Sequence, residues 1–248
     1  VKLGEVKDIV REHVGRDSVS DVTLDWAIVR GLREIEQRDT FYWMEAHKQF
    51  HILDGYQTYP LTRATDRGLN LTDYRSPDFL LVSDRTADNP SWIQVDGPEI
   101  EGQAQVNFAE GSEGTPSFFS VREVDDDPMI VVWPPLPDQD YLAQWHYYRW
   151  TTLPTATTSD EHEVLRRWPE ALIYTATAQA ILVKTKDPEL ASFWNGLFYN
   201  PNPLIQCEYK RIKLFEKQRK QGKRSSNNPT NQQSTLTNRA LDHARRWF

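Results

Sequence analysis

Apolar residues recur at helical spacing at both ends of the chain and at strand spacing in the middle. Leu3, Val6, Val10 and Val14 share one face of a short helix, and Gly15 is placed to stop it. After a turn at Arg16–Val19, Ser20 is an N-cap for a second helix. There Leu24, Ala27, Ile28, Gly31, Leu32 and Ile35 face one way, and Arg30, Arg33, Glu34 and Gln37 face the other. The two helices are close enough in sequence to pack antiparallel. The second runs out near Asp39-Thr40, and Phe41-Tyr42-Trp43-Met44 follows at once. One face of one element cannot bury all four, so they predict a corner where the chain passes between packed layers. Lys48–Leu53 and Tyr56–Leu61 flank Asp54-Gly55 and predict a hairpin.

Short strands are predicted at Asp78–Val82, Ser91–Val95, Phe118–Val124 and Met129–Trp133, the last two bracketing the polar loop Asp125–Pro128. Pro134, Pro135 and Pro137 end the fourth, because proline cannot donate to a ladder. Tyr141–Trp150 alternates as one long strand with aromatics on both faces. The polar, Gly-bearing stretches Thr62–Asp73 and Glu99–Pro116 read as long loops. Thr151–Asp160 reads as a Thr/Pro/Ser linker. Helical text resumes at Trp168-Pro169, with Leu172, Ala176, Gln179, Ala180 and Val183 periodic. Asp187-Pro188 opens another helix carrying Leu190, Phe193, Trp194, Leu197 and Phe198, which Asn200–Pro203 breaks. Ile205, Tyr209, Ile212 and Phe215 form a third face among lysines and arginines. From Gln221 the chain is too poor in apolar residues to offset its ordering entropy, yet it ends in Trp247-Phe248.

Charge sharpens this division. The chain of 248 residues carries a formal net of −7, unevenly spread. From Glu208 to Phe248 eleven Lys/Arg face three carboxylates, a net of +8, which leaves −15 on the other 207 residues. An acidic body with a basic tail suits an acidic protein partner or nucleic acid. The nine Trp make large rigid side chains the main packing material. No apolar run approaches the ~20 residues of a membrane span. The opening residues show no signal-peptide pattern, and the single Cys207 excludes an internal disulfide framework, so synthesis in a reducing cytosol is expected.

Candidate chemistry is sparse. His47 and His51 have a helical metal-ligand spacing but fall in a predicted hairpin, so they do not converge. Asp125, Asp126 and Asp127 lack a cation-loop pattern and read as a solvated turn. Glu161, Glu163 and Glu170, or Asp138 and Asp140, offer carboxylate pairs of the kind glycosidases use. With 36 acidic residues such pairs arise by chance, and no nucleophile-elbow, phosphate-loop or zincin motif is present. No cofactor or metal is expected.

Three stretches carry a family resemblance. The helix AIVRGLREIEQR, the corner FYW and the run F-x-I-x-x-G-x-x-x-Y-P-L occur in order from Ala27 to Leu61. RRWPEALIYTATAQAILVKTKDPELASFW from Arg166 and EYKRIKLFEKQRK from Glu208 follow near the other end. Together they resemble the head-to-tail adaptor (connector) proteins of tailed bacteriophages, of the portal-binding, tail tubular A-like kind. The resemblance implies a structural virion protein forming a ring, commonly a dodecamer, between the portal and the tail or nozzle. It implies a central channel through which DNA passes without sequence specificity, and a C-terminal arm that docks on the portal. It further implies residence at the virion neck after synthesis in the host cytoplasm, with no membrane partner and no enzymatic activity.

The expected fold is therefore α+β. An antiparallel helical bundle forms from both chain ends, residues 1–44 and 160–221, with a β-rich domain, 45–151, inserted into it. Residues 222–248 form an extended, flexible basic arm. Its expected portal-docking residues are Arg224, Leu236, Arg239, Leu241, Arg245, Arg246, Trp247 and Phe248. Two alternatives come from other classes. One is a tail-associated cell-wall-degrading (muramidase-like) or carbohydrate-binding protein, with Tyr141–Trp150 along a sugar groove. The other is a DNA-binding protein acting through Lys223 and Arg224.

Overall fold

The computed structural model describes residues 1–15, 19–63, 65, 67–84, 91–97, 111–124, 127–153 and 162–225. Six helices and two antiparallel sheets among these residues make it an α+β protein. The described residues divide into two compact units, one from residues 1–43 with 150–225 and one from residues 44–149.

The first unit is helical. In α1 (Leu3–Val14) Val6 and Val10 are buried, and Gly15 ends the helix at φ +102°, a conformation that favours glycine. In α2 (Asp21–Arg38) the Ser20 hydroxyl accepts the Thr23 N–H at 3.2 Å, and all six residues expected on the inner face are buried. The ion pairs Lys7–Asp25 and Arg11–Asp21 join the two helices in opposite sequence order, so they run antiparallel. A short helix not predicted from sequence, α3 (Glu163–Arg167), precedes α4 (Pro169–Lys184).

The helix predicted from Trp168-Pro169 forms as α4, but its burial is not confined to one face. Every residue from Ala171 to Ala180 except Tyr174 and Gln179 is buried, because neighbours cover α4 on several sides. Small residues permit this. A Cβ on Gly31 of α2 would lie 2.7 Å from the Ala176 backbone nitrogen. On another side, Ala191 of α5 (Pro188–Phe198) packs with Ala178 and Ile181. Asp187 caps α5, accepting the Glu189 and Leu190 N–H groups at 3.0 Å. Of the apolar residues read on α5, Phe198 is buried, while Leu190 and Phe193 are exposed. In α6 (Glu208–Ser225) Ile212 is buried, and the helix continues past Gln221, where the pattern ends it.

The second unit is a pair of sheets. Strands β1 (Glu45–Ile52), β7 (Tyr141–Arg149), β3 (Tyr74–Asp84) and β4 (Ile93–Val95) form one sheet, in that order. Strands β2 (Thr58–Pro60), β6 (Asp127–Trp133) and β5 (Phe118–Val124) form the other. The hairpin predicted across Asp54-Gly55 is not formed. The chain does turn there, with Gly55 at φ +71°, but β1 pairs with β7 and β2 with β6. Tyr59 of β2 is buried and closes the turn. Its hydroxyl donates to the Tyr56 carbonyl at 2.8 Å and accepts the Leu53 N–H at 2.9 Å, tying the turn beneath the core. The hairpin predicted around Asp125–Pro128 does form, as β5 and β6.

Both sheets contribute to one core. Leu80 and Val82 of β3 and Tyr141, Ala143, Trp145 and Tyr147 of β7 meet Phe119, Ile130 and Val132 of the other sheet. The period of two in β7 is the alternation visible in its sequence.

Candidate functional site

The last helix is held at its root by the end of α2 and the aromatic corner. Asp39, the C-cap of α2, accepts from Lys213 and from the Tyr209 hydroxyl at 3.3 Å, both on α6. Burial pushes the Asp39 carboxyl up, but the Lys213 ammonium, the Thr40 N–H and Tyr209 outweigh it and hold it below the usual aspartate range. Three residues further along the chain, the Tyr42 N–H donates to Glu216 of α6 at 3.1 Å. Glu216 pairs with Arg219 at 3.5 Å, and the Arg219 guanidinium lies 4.6 Å from the Tyr42 ring centre. The Tyr42 hydroxyl donates to Glu163 of α3, which also pairs with Arg166 and Arg167. Arg167 stacks over Phe215 at 5.0 Å, and Trp168 meets the same ring edge-on at 5.7 Å. Burial, with Glu163 beside it, pushes the Tyr42 phenol far above its ordinary value, so it remains a donor.

Sequence periodicity assigned α6 an apolar face through Tyr209, Ile212 and Phe215, but missed Glu216. A usable signal was present: Glu216 and Glu208 are the only carboxylates among eight basic residues from Glu208 to Ser225. Much of the root's positive charge is engaged locally. Arg211 pairs with Glu208, and Lys210 donates to the Asn202 and Ile205 carbonyls.

A second polar cluster ties the segment after β7 to α2. Glu36 is fully buried. It accepts from Arg33 at 2.6 Å, from the Thr151 N–H at 3.3 Å and from the Thr151 hydroxyl. His162 Nδ1 accepts the Val164 N–H at 3.2 Å, so its Nε2–H donates to the Thr151 oxygen at 2.8 Å. Thr151, read from sequence as linker, is thus a buried clasp. Carboxylate, hydroxyl and imidazole are the groups of a hydrolase triad, but their order is wrong. A triad needs the carboxylate on Nδ1–H and a free Nε2 to take the hydroxyl proton. Here Nδ1 is occupied by backbone, Nε2 donates, and the carboxylate holds the hydroxyl.

Burial raises the Glu36 carboxyl pKa, with Thr151 and Arg33 opposing. The folded protein therefore binds that proton more tightly than the unfolded chain. This contribution to stability is fully present below the unfolded value of about 4.3 and is lost as pH rises through the folded value. The stability of wild type relative to Glu36→Gln is expected to fall over that window, as read by urea unfolding at a series of pH values.

The other sequence candidates do not form a site. His47 and His51 lie four residues apart on β1, about 13 Å, with His47 stacked on His146 at 5.7 Å. Asp127 is not a solvated turn residue: it is buried, pairs with Arg63 at 3.0 Å and accepts from Thr62. Asp125, Asp126 and Glu161 lie outside the described residues. Asp138 accepts the Tyr141 hydroxyl at 2.5 Å, Asp140 accepts the Asp54 N–H at 2.9 Å, and Glu170 is exposed on α4. The β7 aromatics Tyr141, Trp145 and Tyr147 fill the core and line no open groove. No group of three metal-ligating side chains occurs among the described residues. None of the described helices is long and apolar enough to cross a membrane.

The described residues thus present a basic helix pinned at its root. A family model described as SU10 adaptor protein matches residues 1–219. The chain belongs to the SU10 adaptor protein family. It is therefore a phage adaptor, a structural component of the virion. Among curated proteins none matches. The match spans both units of the adaptor and ends at Arg219, whose guanidinium closes the α6 root. Of the expected docking residues, Arg224 falls in the last turn of the adaptor's α6. Leu236, Arg239, Leu241, Arg245, Arg246, Trp247 and Phe248 lie outside the described residues.

Proposed function

We propose that this adaptor forms a ring, a dodecamer, between the portal and the tail or nozzle at the virion neck. DNA passes through its centre without sequence specificity, and the basic C-terminal arm docks on the portal in the tail tubular A-like manner. The observation that carries this reading is the root of α6. Asp39, Tyr42 and Glu216 hold a basic helix by one end, and the helix runs on to Ser225. A firmly held root costs a reaching arm less entropy than a loose tether would. Beyond it stand Arg239, Arg245, Arg246, Trp247 and Phe248, residue types that anchor protein interfaces. The net of −15 on residues 1–207 supports a channel role, since like charge keeps duplex DNA from adhering to the wall.

Truncation after Ser225 tests the docking. The shortened chain is expected to remain folded and to lose binding to purified portal rings by about a hundredfold or more, read by co-sedimentation. Trp247→Ala with Phe248→Ala in the full chain is expected to reproduce most of that loss. Unchanged capture by the truncated chain would overturn the assignment. A binding defect that vanishes at high salt, accompanied by loss of DNA binding, would instead favour the tail as a nucleic-acid element.

A further inference from the structure

The helical unit carries two apolar faces that stay largely exposed among the described residues, with the Arg30 guanidinium 5.5 Å from the Trp26 ring centre. On α2, Val22, Trp26 and Val29 are exposed by 79%, 42% and 51%. At about 100° per residue, all three lie within about 40° of the side opposite Gly31, which faces α4. On α5, Leu190 and Phe193 are exposed, with Phe193 nearly opposite Ala191, which also faces α4. Beyond α5, Leu204 is 89% exposed on a loop that is held in place. Asn202 N–H donates to Asn200, Leu204 N–H donates to Asn202, each at 3.0 Å, and Lys210 caps Ile205 at 2.5 Å. Exposed apolar patches of this kind mark interaction surfaces.

Their placement identifies the occupant. On α4, Ala176 meets α2, while Ala178 and Ile181 meet α5. Helical geometry sets those directions about 140–160° apart, so the two exposed faces lie on opposed flanks of one unit. Their charges are ordered in opposite senses. Asp21 and Asp25, still exposed although they pair with Arg11 and Lys7 of α1, precede exposed Arg30 along α2, and exposed Lys184 and Lys186 precede exposed Glu189 at the start of α5. Laid side by side, acid meets base and base meets acid. A two-fold contact needs one self-complementary patch, whereas two different patches on opposed flanks make a head-to-tail contact, the kind from which a ring is built when the rotation between copies closes.

We infer that the α2 face of one copy packs against the α5 face and Leu204 loop of the next copy of this chain. The inference deepens the ring reading above and rests on it, but it needs neither the arm nor the portal. Trp26→Asp and Phe193→Asp test it, since both residues are surface-exposed and the variants should fold, as judged by circular dichroism and unfolding. The wild-type chain is expected to associate as concentration rises in sedimentation velocity. Each variant alone should remain monomeric, with association weakened at least about a hundredfold. An equimolar mixture of the two should form a one-to-one dimer and nothing larger, because one intact face of each kind remains. A variant that assembles like wild type, a variant that dimerises with itself, a mixture that stays monomeric, or a wild-type chain monomeric throughout would overturn it. Portal capture is scored separately. Capture without this assembly sinks the interface alone, and assembly without capture sinks the docking reading alone.

Discussion

Gly31→Leu is expected to destabilise the helical unit by more than about 3 kcal/mol, measured by urea unfolding. The cause is the approach of two backbones. A bare Cβ at this position would lie 2.7 Å from the Ala176 nitrogen, 2.8 Å from the Thr175 hydroxyl oxygen and 3.0 Å from the Ala176 Cα. Backbone cannot rotate away as a side-chain tip can, so α2 must shift off α4, and every buried residue along that contact loosens. Gly31→Ala is the graded case. Removing a helical glycine returns about 1 kcal/mol through propensity, but the clash costs about 1–3 kcal/mol, so a net loss is expected. Gly196 in α5 provides the contrast, because a Cβ there meets nothing within 4 Å. Gly196→Ala is expected to stabilise by about 0.5–1 kcal/mol. The same chemical change should therefore give opposite signs at the two positions.

The inner face of α2 was legible in sequence because its burial follows a single period. The six positions from Leu24 to Ile35 repeat at helical spacing, and one face meets the core. α4 was read as a helix, but its burial on several sides was not legible. A helix enclosed by neighbours has no polar face to create a period, and the Ala/Thr run from Thr175 to Ala178 looks only weakly apolar. The strands β5, β6 and β7 announced themselves by length and alternation. The Asp54-Gly55 turn was seen, but a turn fixes a reversal and not a partner, and β1 and β2 pair into different sheets. The α6 root and the Glu36 clasp were hidden because their members are far apart in sequence. Glu36 and Thr151 are separated by 115 positions and Tyr42 and Glu216 by 174. Polar residues on helices are ordinarily solvated, so nothing local marks the few that turn inward. The sequence carries no catalytic motif. That left the spread of charge, the family resemblance and the tail composition as the informative features.

Trp145→Ala is expected to cost the β unit about 3–5 kcal/mol. Trp145 is fully buried in β7, the strand that pairs with both β1 and β3, and it stands edge-on to Phe119 of the opposite sheet at 5.4 Å. Removing the indole leaves a cavity at the centre of the two-sheet core, bounded by strands whose ladders fix their positions, so collapse cannot fill it. Trp145→Phe should be far milder, below about 1.5 kcal/mol, because a ring remains against Phe119. The indole N–H has no hydrogen-bond partner among the described residues, so its loss removes a desolvation penalty and no bond. Urea unfolding of the two variants separates the explanations. A large loss for alanine with a small one for phenylalanine assigns the role to packing. Equal losses would assign it to the N–H and contradict the core geometry. The prediction bears on assembly as well. Trp145→Ala should weaken the β unit while leaving the Val22–Trp26–Val29 and Leu190–Phe193 faces intact, since those belong wholly to the helical unit. Sedimentation of this variant under native conditions should therefore still show the self-association that Trp26→Asp removes.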